Sequence, residues 1–289
     1  MKKFIIEPEY NNYKVSEYLK NIKGYSSRGL KNADIYLNGK KVRLDKKIKK
    51  LNRLVVVEQE KGTNIQPIPM DLKIVFEDKN LLIINKDANI VVHPTLKKTD
   101  KTLANGVVDY LLKTTGKIQV PRFYNRLDMD TSGLIVVAKN AFAQAFLQEK
   151  AEIRKFYLAI CEGIVEKDEF FITRPIGRVG DNIKREELPV EEGGQEAKTK
   201  VKVLKRFEDR NLSLVELELF TGRTHQIRVH LSLEGHPILG DVLYGSKNES
   251  IQRQLLHSYK FMYTDIDSHE QKIIQIDLPE DMKNVIGVK

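Results

Sequence analysis

With 289 residues, 41% of them hydrophobic and 31% charged, the chain can bury the core of one large domain with an appendage and still present a polar surface. No apolar run reaches the roughly 18 to 20 residues that a membrane span requires, and the apolar stretch after Met1 is cut off at Glu7 and Pro8, so neither a membrane segment nor a signal peptide is expected. The formal charge of +9 is lopsided: residues 1–60 hold 15 Lys or Arg against 7 Asp or Glu, and the remainder 34 against 33. That asymmetry points to a polyanionic partner, nucleic acid or an anionic membrane surface, met by the N-terminal part. The single cysteine, Cys161, excludes an internal disulfide and a cysteine zinc cluster, and the cytoplasm is the expected compartment.

Residues 1–60 read as a small module of short helices followed by a hairpin. Val15, Tyr18, Leu19 and Ile22 recur at helical spacing, Gly24 is placed to end that helix, and Ser26 or Ser27 to cap a second one through Leu30. Ile35-Tyr36-Leu37 and Lys41-Val42-Arg43 flank Asn38-Gly39, a strong short hairpin signal. Residues 61–70, with Gly62, Pro67 and Pro69, read as a linker. The second domain, 71–289, opens with a strand pair at residues 72–76 and 81–84, then a helix carrying Leu103, Val107, Val108, Leu111 and Leu112.

Next comes YNRLDMDTSGLIVVAK, residues 124–139, in which Asp128 stands between Arg126 and the turn formers Thr131, Ser132 and Gly133, ahead of a buried strand, Leu134 to Ala138. A carboxylate held at the lip of a sheet suits a nucleophile or base; a turn cap paired with Arg126 is the other reading of it. Asn140 is placed to cap a helix with Phe142, Ala145 and Phe146 on its apolar face. In the strand at 155–160, Phe156, Leu158 and Ile160 alternate with Lys155, Tyr157 and Ala159, so that Tyr157 faces away from the Phe156 layer, either into a cleft or half-buried. Residues 173–195, rich in Gly, Pro and charge, read as a mobile insertion or long hairpin suited to gripping RNA. Strands follow at 201–203 and 212–220, the latter with a phase change near Val215, and Thr224 is expected to cap a helix running to Gly235.

Arg126-Leu127-Asp128 with Thr131-Ser132-Gly133 at that offset resembles the signature loop of the RluA/RluD-type pseudouridine synthases. Residues 74–95 are similar to that family's opening strands, Lys155-Phe156-Tyr157-Leu158 to the motif carrying its active-site Tyr, residues 221–230 (TGRTHQIRVH) to its arginine motif, and Leu256-His257-Ser258 also fits. Several ordered motifs are more specific than any one. Residues 1–60 resemble, more loosely, an S4 RNA-binding domain with Arg28, Lys31, Lys40, Lys41 and Arg43 available for phosphates.

The resemblance implies an α+β catalytic domain with a mixed, largely antiparallel sheet, isomerising uridine in RNA without cofactor or metal. Asp128 would be the nucleophile, Arg228 its guanidinium partner, and Arg223 a phosphate or structural contact. Tyr157 would stack on the base or take the ribose proton, beside Lys155 as a substrate contact. Arg126 would enter the space left by an extruded uridine, a salt bridge to Asp128 or Asp130 being its other reading. Ribosomal RNA is the favoured substrate, transfer RNA the alternative, and a monomer the expected state. Asn125 stands where many relatives have His, and Asp87 where Pro is common. Three rival readings are a metal hydrolase using Asp128, Asp130, His225 and His230, a glycoside hydrolase with Asp130 as acid, and a catalytically silent RNA-binding protein.

Overall fold

The computed structural model describes residues 2–25, 27–31, 33–58, 62–95, 101–180, 183–248 and 250–287. Ser26, a candidate helix cap, and the side chain of Arg28 lie outside the described residues. In the N-terminal module, strands β1 (Lys2–Ile5), β2 (Ala33–Leu37), β3 (Lys40–Lys41) and β4 (Arg53–Glu58) make an antiparallel sheet in the order β1-β4-β2-β3. Helix α1 (Val15–Glu17) runs on into a π-helical turn over Tyr18–Ile22, and α2 (Ser27–Lys31) follows. Asn38 and Gly39 take φ of 49° and 83°, the left-handed pair that lets the twist of β2 pass into β3. Val15, Tyr18 and Leu19 are buried as their spacing requires, but Ile22 is exposed at the helix end.

Among the described residues the main sheet has ten strands. The first five are β5 (Ile74–Glu77), β6 (Leu81–Lys86), β7 (Arg122–Phe123), β8 (Ser132–Ala138) and β9 (Arg154–Glu162), and β10 (Glu169–Ile172) forms one edge. A separate hairpin, β11 (Ile176–Gly177) and β12 (Glu186–Glu187), precedes β13 (Thr199–Phe207), β14 (Leu212–Leu219), β15 (Leu256–Thr264) and β16 (Gln271–Gln275). The order is β10-β13-β14-β9-β15-β8-β6-β5, with β16 on β15 and β7 on β8. Every pairing is antiparallel except β15 with β8, where His257 lies opposite Ser132 and Ser258 opposite Gly133. At that junction the backbones approach so closely that a Cβ on Gly133 (φ 112°) would collide with the Ser258 backbone. The fold is thus α+β with a mixed, largely antiparallel sheet.

Helices α3 (Leu103–Thr115), α4 (Ala141–Glu149), α5 (Gln226–Leu233) and α6 (Glu280–Ile286) flank this sheet. Asn140 caps α4 by accepting a hydrogen bond from the Ala143 N–H at 2.8 Å. Strand β8 is buried along its whole length because both its faces are covered. Ile135 and Val137 join a core with Leu82, Ile84, Val107 and Leu111, whereas Leu134 and Val136 join a second core with Tyr18, Leu19, Leu54 and Val56 of the N-terminal module. Tyr25 meets Phe142 at 4.9 Å between ring centroids. Burying one such side chain contributes about 1.5–3 kcal/mol, against at most about 1 kcal/mol for a surface ion pair, so apolar contact holds the module on the sheet. Residues 66–70 lie along α3: Asn105 donates to the Gln66 carbonyl at 2.9 Å, and Met70 packs on Gly106.

Helix α5 starts later than the Thr224 cap would place it. The Gln226 side chain accepts hydrogen bonds from the Thr221 hydroxyl and the Arg223 N–H, winding a turn of its own, and the N-cap becomes His225 at φ 58°. Residues 173–195 include the β11–β12 hairpin, rooted by the Arg174 carbonyl on His230 and by the Arg185 N–H on the Tyr244 hydroxyl; residues 181–182 lie outside the described residues.

Candidate active site

The loop carrying Asp128 is pinned from several sides. The Asn125 side chain completes a strand-like pairing with β8, donating to the Leu134 carbonyl at 3.1 Å and accepting from the Val136 N–H at 2.8 Å. Buried Lys86 sends its ammonium to the carbonyls of Asp87, Ile90 and Met129 at 2.8, 3.0 and 2.8 Å, tying the end of β6 to the residue after Asp128. Arg253 donates to the Asp130 carbonyl at 3.1 Å. The departures at Asn125 and Asp87 leave this loop well fastened, Asp87 itself pairing with Lys73 at 2.8 Å.

Asp128 presents its carboxylate, 30% exposed, to Arg228 on α5, whose Nη1 donates to Oδ2 at 3.0 Å. The rest of the guanidinium is held by Asp241: Nε and Nη2 reach its two oxygens at 2.7 and 2.8 Å, and Asp241 is fully buried. Burial opposes the charge of Arg228, but the two carboxylates outweigh it and its pKa is raised. Both partners are charge-assisted, and the two-pronged grip fixes the plane of the guanidinium. Its cationic carbon also lies 4.9 Å from the Tyr244 ring centroid.

His225 completes this wall. Its Nε2 is 3.7 Å from Asp128 Oδ2 and its Nδ1 is 2.8 Å from the Tyr244 hydroxyl. That hydroxyl also accepts the Arg185 N–H, which fixes the ring with its Nε2 edge toward the carboxylate. Burial lowers the His225 pKa, with Asp128 pulling the other way.

A cavity of about 590 Å³ opens beside Asp128, lined also by Arg126, Lys155, Tyr157, Arg223 and His225, within the size range of small-ligand sites. Tyr157 forms its floor and is 5% exposed, more deeply placed than a half-buried side chain because both faces of β9 are covered. Burial pushes its hydroxyl up to about 12, a hydrogen bond with Ser258 opposing and Asp128 adding to the rise. Burial also lowers the Lys155 pKa. Arg223 donates Nε to the Glu196 carbonyl at 3.0 Å, and Arg126 stands exposed at the mouth, with no ion pair to Asp128 or Asp130 among the described residues.

Lys31, Lys40, Lys41 and Arg43 are exposed on the N-terminal module, away from this cavity, with Lys41 paired to Asp34 at 2.5 Å. A slightly larger cavity, about 690 Å³, lies between module and main domain, but its lining carboxylate, Asp267, is taken by Lys79 at 3.1 Å. His230 is buried on Thr199 and the Arg174 carbonyl, Asp130 lines a separate depression with Arg253, and no group of three His, Cys, Asp or Glu among the described residues is placed to hold a metal. Neither the metal-hydrolase constellation nor an Asp128–Asp130 acid pair is therefore assembled. Lys86, Asp241 and Tyr244 belong to the site without having been singled out for its chemistry, and His225, within the arginine motif, enters as a neighbour of Asp128 and not as a metal ligand. A lysine ending the apolar run of β6 is a local signal for the first of them.

The family model described as RNA pseudouridylate synthase matches residues 80–233. The chain is 40% identical over 242 residues to the uncharacterized RNA pseudouridine synthase YhcT of Bacillus subtilis, covering 82% of this chain and 79% of that one. It is 37% identical over 254 residues to ribosomal large subunit pseudouridine synthase D of Neisseria meningitidis, covering 82% and 66%. The solved structure of human RNA pseudouridylate synthase domain containing 1 is similar at 26% identity and a TM-score of 0.57, over 76% of this chain and 86% of that one. The chain belongs to the RNA pseudouridine synthase family.

Proposed function

We propose that this enzyme converts specific uridines of large-subunit ribosomal RNA to pseudouridine in the cytoplasm, with Asp128 as nucleophile and Arg228 as its charge partner. The observation that carries the reading is the Asp128–Arg228 pair at 3.0 Å opening onto a nucleotide-sized cavity floored by Tyr157. The reaction breaks the N1–C1′ bond, turns the detached base in place and joins C5 to C1′; C5 loses a proton, N1 gains one, and the oxidation state is unchanged. Asp128 either attacks C1′ or removes a ribose proton to give a glycal. With its hydroxyl held near pKa 12, Tyr157 is a poor base and a better contact for the uracil ring.

A uridine inside folded RNA is reached by extrusion, at a cost of a few kcal/mol. Arg126, exposed at the mouth, is suited to fill the gap, and Lys155 and Arg223 to meet the flanking phosphate. The S4-like reading of the N-terminal module gives Arg28, Lys31, Lys40, Lys41 and Arg43 the role of contacting RNA backbone. Ribosomal RNA is favoured over transfer RNA by the relatives named for the large ribosomal subunit, at 36–37% identity.

The test is tritium release from RNA labelled at uridine C5, using ribosomal and transfer RNA, wild type and Asp128→Asn. Release by wild type from ribosomal RNA alone, abolished by the substitution, is expected. Equal release by both proteins, or release of free uracil, overturns the assignment.

A further inference from the structure

Two phenylalanines stand where burial would not put them. Phe171, in edge strand β10, and Phe220, just past the end of β14, are each 51% exposed, their centroids 5.9 Å apart at an interplanar angle of 55°. Strand β13 runs between them: Lys200 is in register with Phe171, and Phe220 donates its N–H to the Lys198 carbonyl at 3.2 Å. The Lys198 ammonium sits 4.7 Å from one ring centroid and 5.0 Å from the other. Two neighbouring carboxylates are neutralised, Glu169 by Lys200 at 2.7 Å and Glu218 by Arg154 at 2.6 Å. Leu219, immediately before Phe220, lines the catalytic cavity, as do Gly222 and Arg223 just after it.

On the reading that RNA is the substrate, we propose that Phe171 and Phe220 form a stacking platform for unpaired bases next to the target uridine, with Lys198 and Arg223 meeting the connecting phosphates. Exposed aromatic faces interleaved with cations are what single-stranded nucleic acid binds, because every base has a face to stack and every linkage a charge. An apolar protein partner fits poorly, since covering the rings would strip water from the Lys198 ammonium without pairing it. A duplex fits no better, because its bases are already stacked on one another. The platform therefore selects RNA that is single-stranded beside the modified position.

The chain contains no tryptophan, so Phe220→Trp installs a unique fluorophore. Titration with an oligouridylate of roughly ten nucleotides is expected to quench it saturably, and a duplex RNA of equal length to leave it bright. With the labelled RNA, Phe171→Ala/Phe220→Ala is expected to raise KM about tenfold or more, with the loss falling on KM and not on kcat. Absence of quenching, equal quenching by duplex, or a KM within about twofold of wild type in a protein that releases tritium rejects the platform and leaves the reaction standing. Quenching in a protein that releases tritium from no RNA keeps the platform and rejects the reaction.

Discussion

The two walls of the catalytic cleft use the same functional group in opposite surroundings. On the inner wall the Arg228 side chain is 8% exposed and bonded to two carboxylates, one of them buried. At the mouth, Arg126 stands in solvent and the Arg223 side chain is held through a backbone carbonyl, with no carboxylate paired to it among the described residues. A charge that is fixed and shielded from water acts on the reacting atoms at nearly full strength. A charge in solvent is screened within about 8–10 Å at ordinary ionic strength and acts on encounter and affinity. The inner wall should therefore govern kcat, and the mouth KM and its salt dependence.

Short of replacing Asp128 itself, the largest effect is expected from Asp241→Asn. The amide keeps the shape but points an N–H₂ at one of the guanidinium donors, so Arg228 loses a bond and half its counter-charge. Breaking a buried pair costs about 3–5 kcal/mol of stability, and misplacing the electrostatic partner of the proposed nucleophile should cost kcat about 10²–10³-fold, as loss of one preorganised donor does. Denaturant melts and single-turnover tritium release measure the two. A variant that keeps kcat and loses only KM would break the contrast between the walls.

Lys86 tests the same wall through pH. Burial pulls its ammonium down to about 8, with Asp130 and Asp128 opposing. A neutral amine has two N–H groups for three carbonyls, so above pH 8 the loop after Asp128 loosens, and the rate should fall about tenfold per pH unit. The stability change has the opposite sign. Between about 8 and the ordinary value of 10.5 the folded chain carries fewer protons on Lys86 than the unfolded chain, so this residue's contribution to stability rises with pH across that window. Because buried Cys161 and Tyr157, whose pKa values are raised, weaken the fold as pH climbs toward and past 9, the comparison is with Lys86→Met: the wild-type melt should gain on that of the variant across the window while the wild-type rate falls. A wild-type melt that loses ground to the variant over the same window would count against it.

How much of this was legible depended on how local each feature is. Asp128 at a strand lip, the β8 strand, the Asn38-Gly39 hairpin and the Asn140 cap are written in neighbouring residues, and they form as their sequence requires. The Asp128–Arg228 pair spans a hundred positions, and only the resemblance to known motifs brought it together. Asp241 had no such support, because its role arises solely from the approach of the loop after α5. Strand β1 escapes a sequence reading for a different reason. The run Lys2-Lys3-Phe4-Ile5 has too few apolar residues to declare a strand, and it is one because β4 and the face of the main sheet supply its partners. Tyr157 illustrates the limit of alternation. Period-two patterning assigns faces, but only the layers on both sides of β9 decide how deeply a face is buried.

Effects at the mouth should be smaller and sensitive to salt. Arg126→Ala and Arg223→Ala are each expected to raise KM about 5–10-fold and to reduce the salt slope of log affinity by about one. If either instead lowers kcat as Asp241→Asn does, that arginine belongs functionally with the inner wall.

The smallest effect is expected from the hairpin of the N-terminal module, where Lys40, Lys41 and Arg43 are exposed. Each phosphate contact releases roughly one counterion, so Gln at all three positions should flatten the salt slope by about two to three. The affinity change at physiological salt should stay modest, because Lys41 already spends part of its charge on Asp34 at 2.5 Å and exposed pairs are worth at most about 1 kcal/mol. The module's apolar docking on the main sheet involves none of these side chains, so the melting curve should not move. That would separate two roles of one module: a buried face that supports the sheet carrying Asp128, and an exposed face proposed to meet RNA. A flattened slope with an unshifted melt supports both roles. An unchanged slope would leave the module as a structural cover for β8 and shift all phosphate recognition to Arg126, Arg223 and the strands beside the cleft.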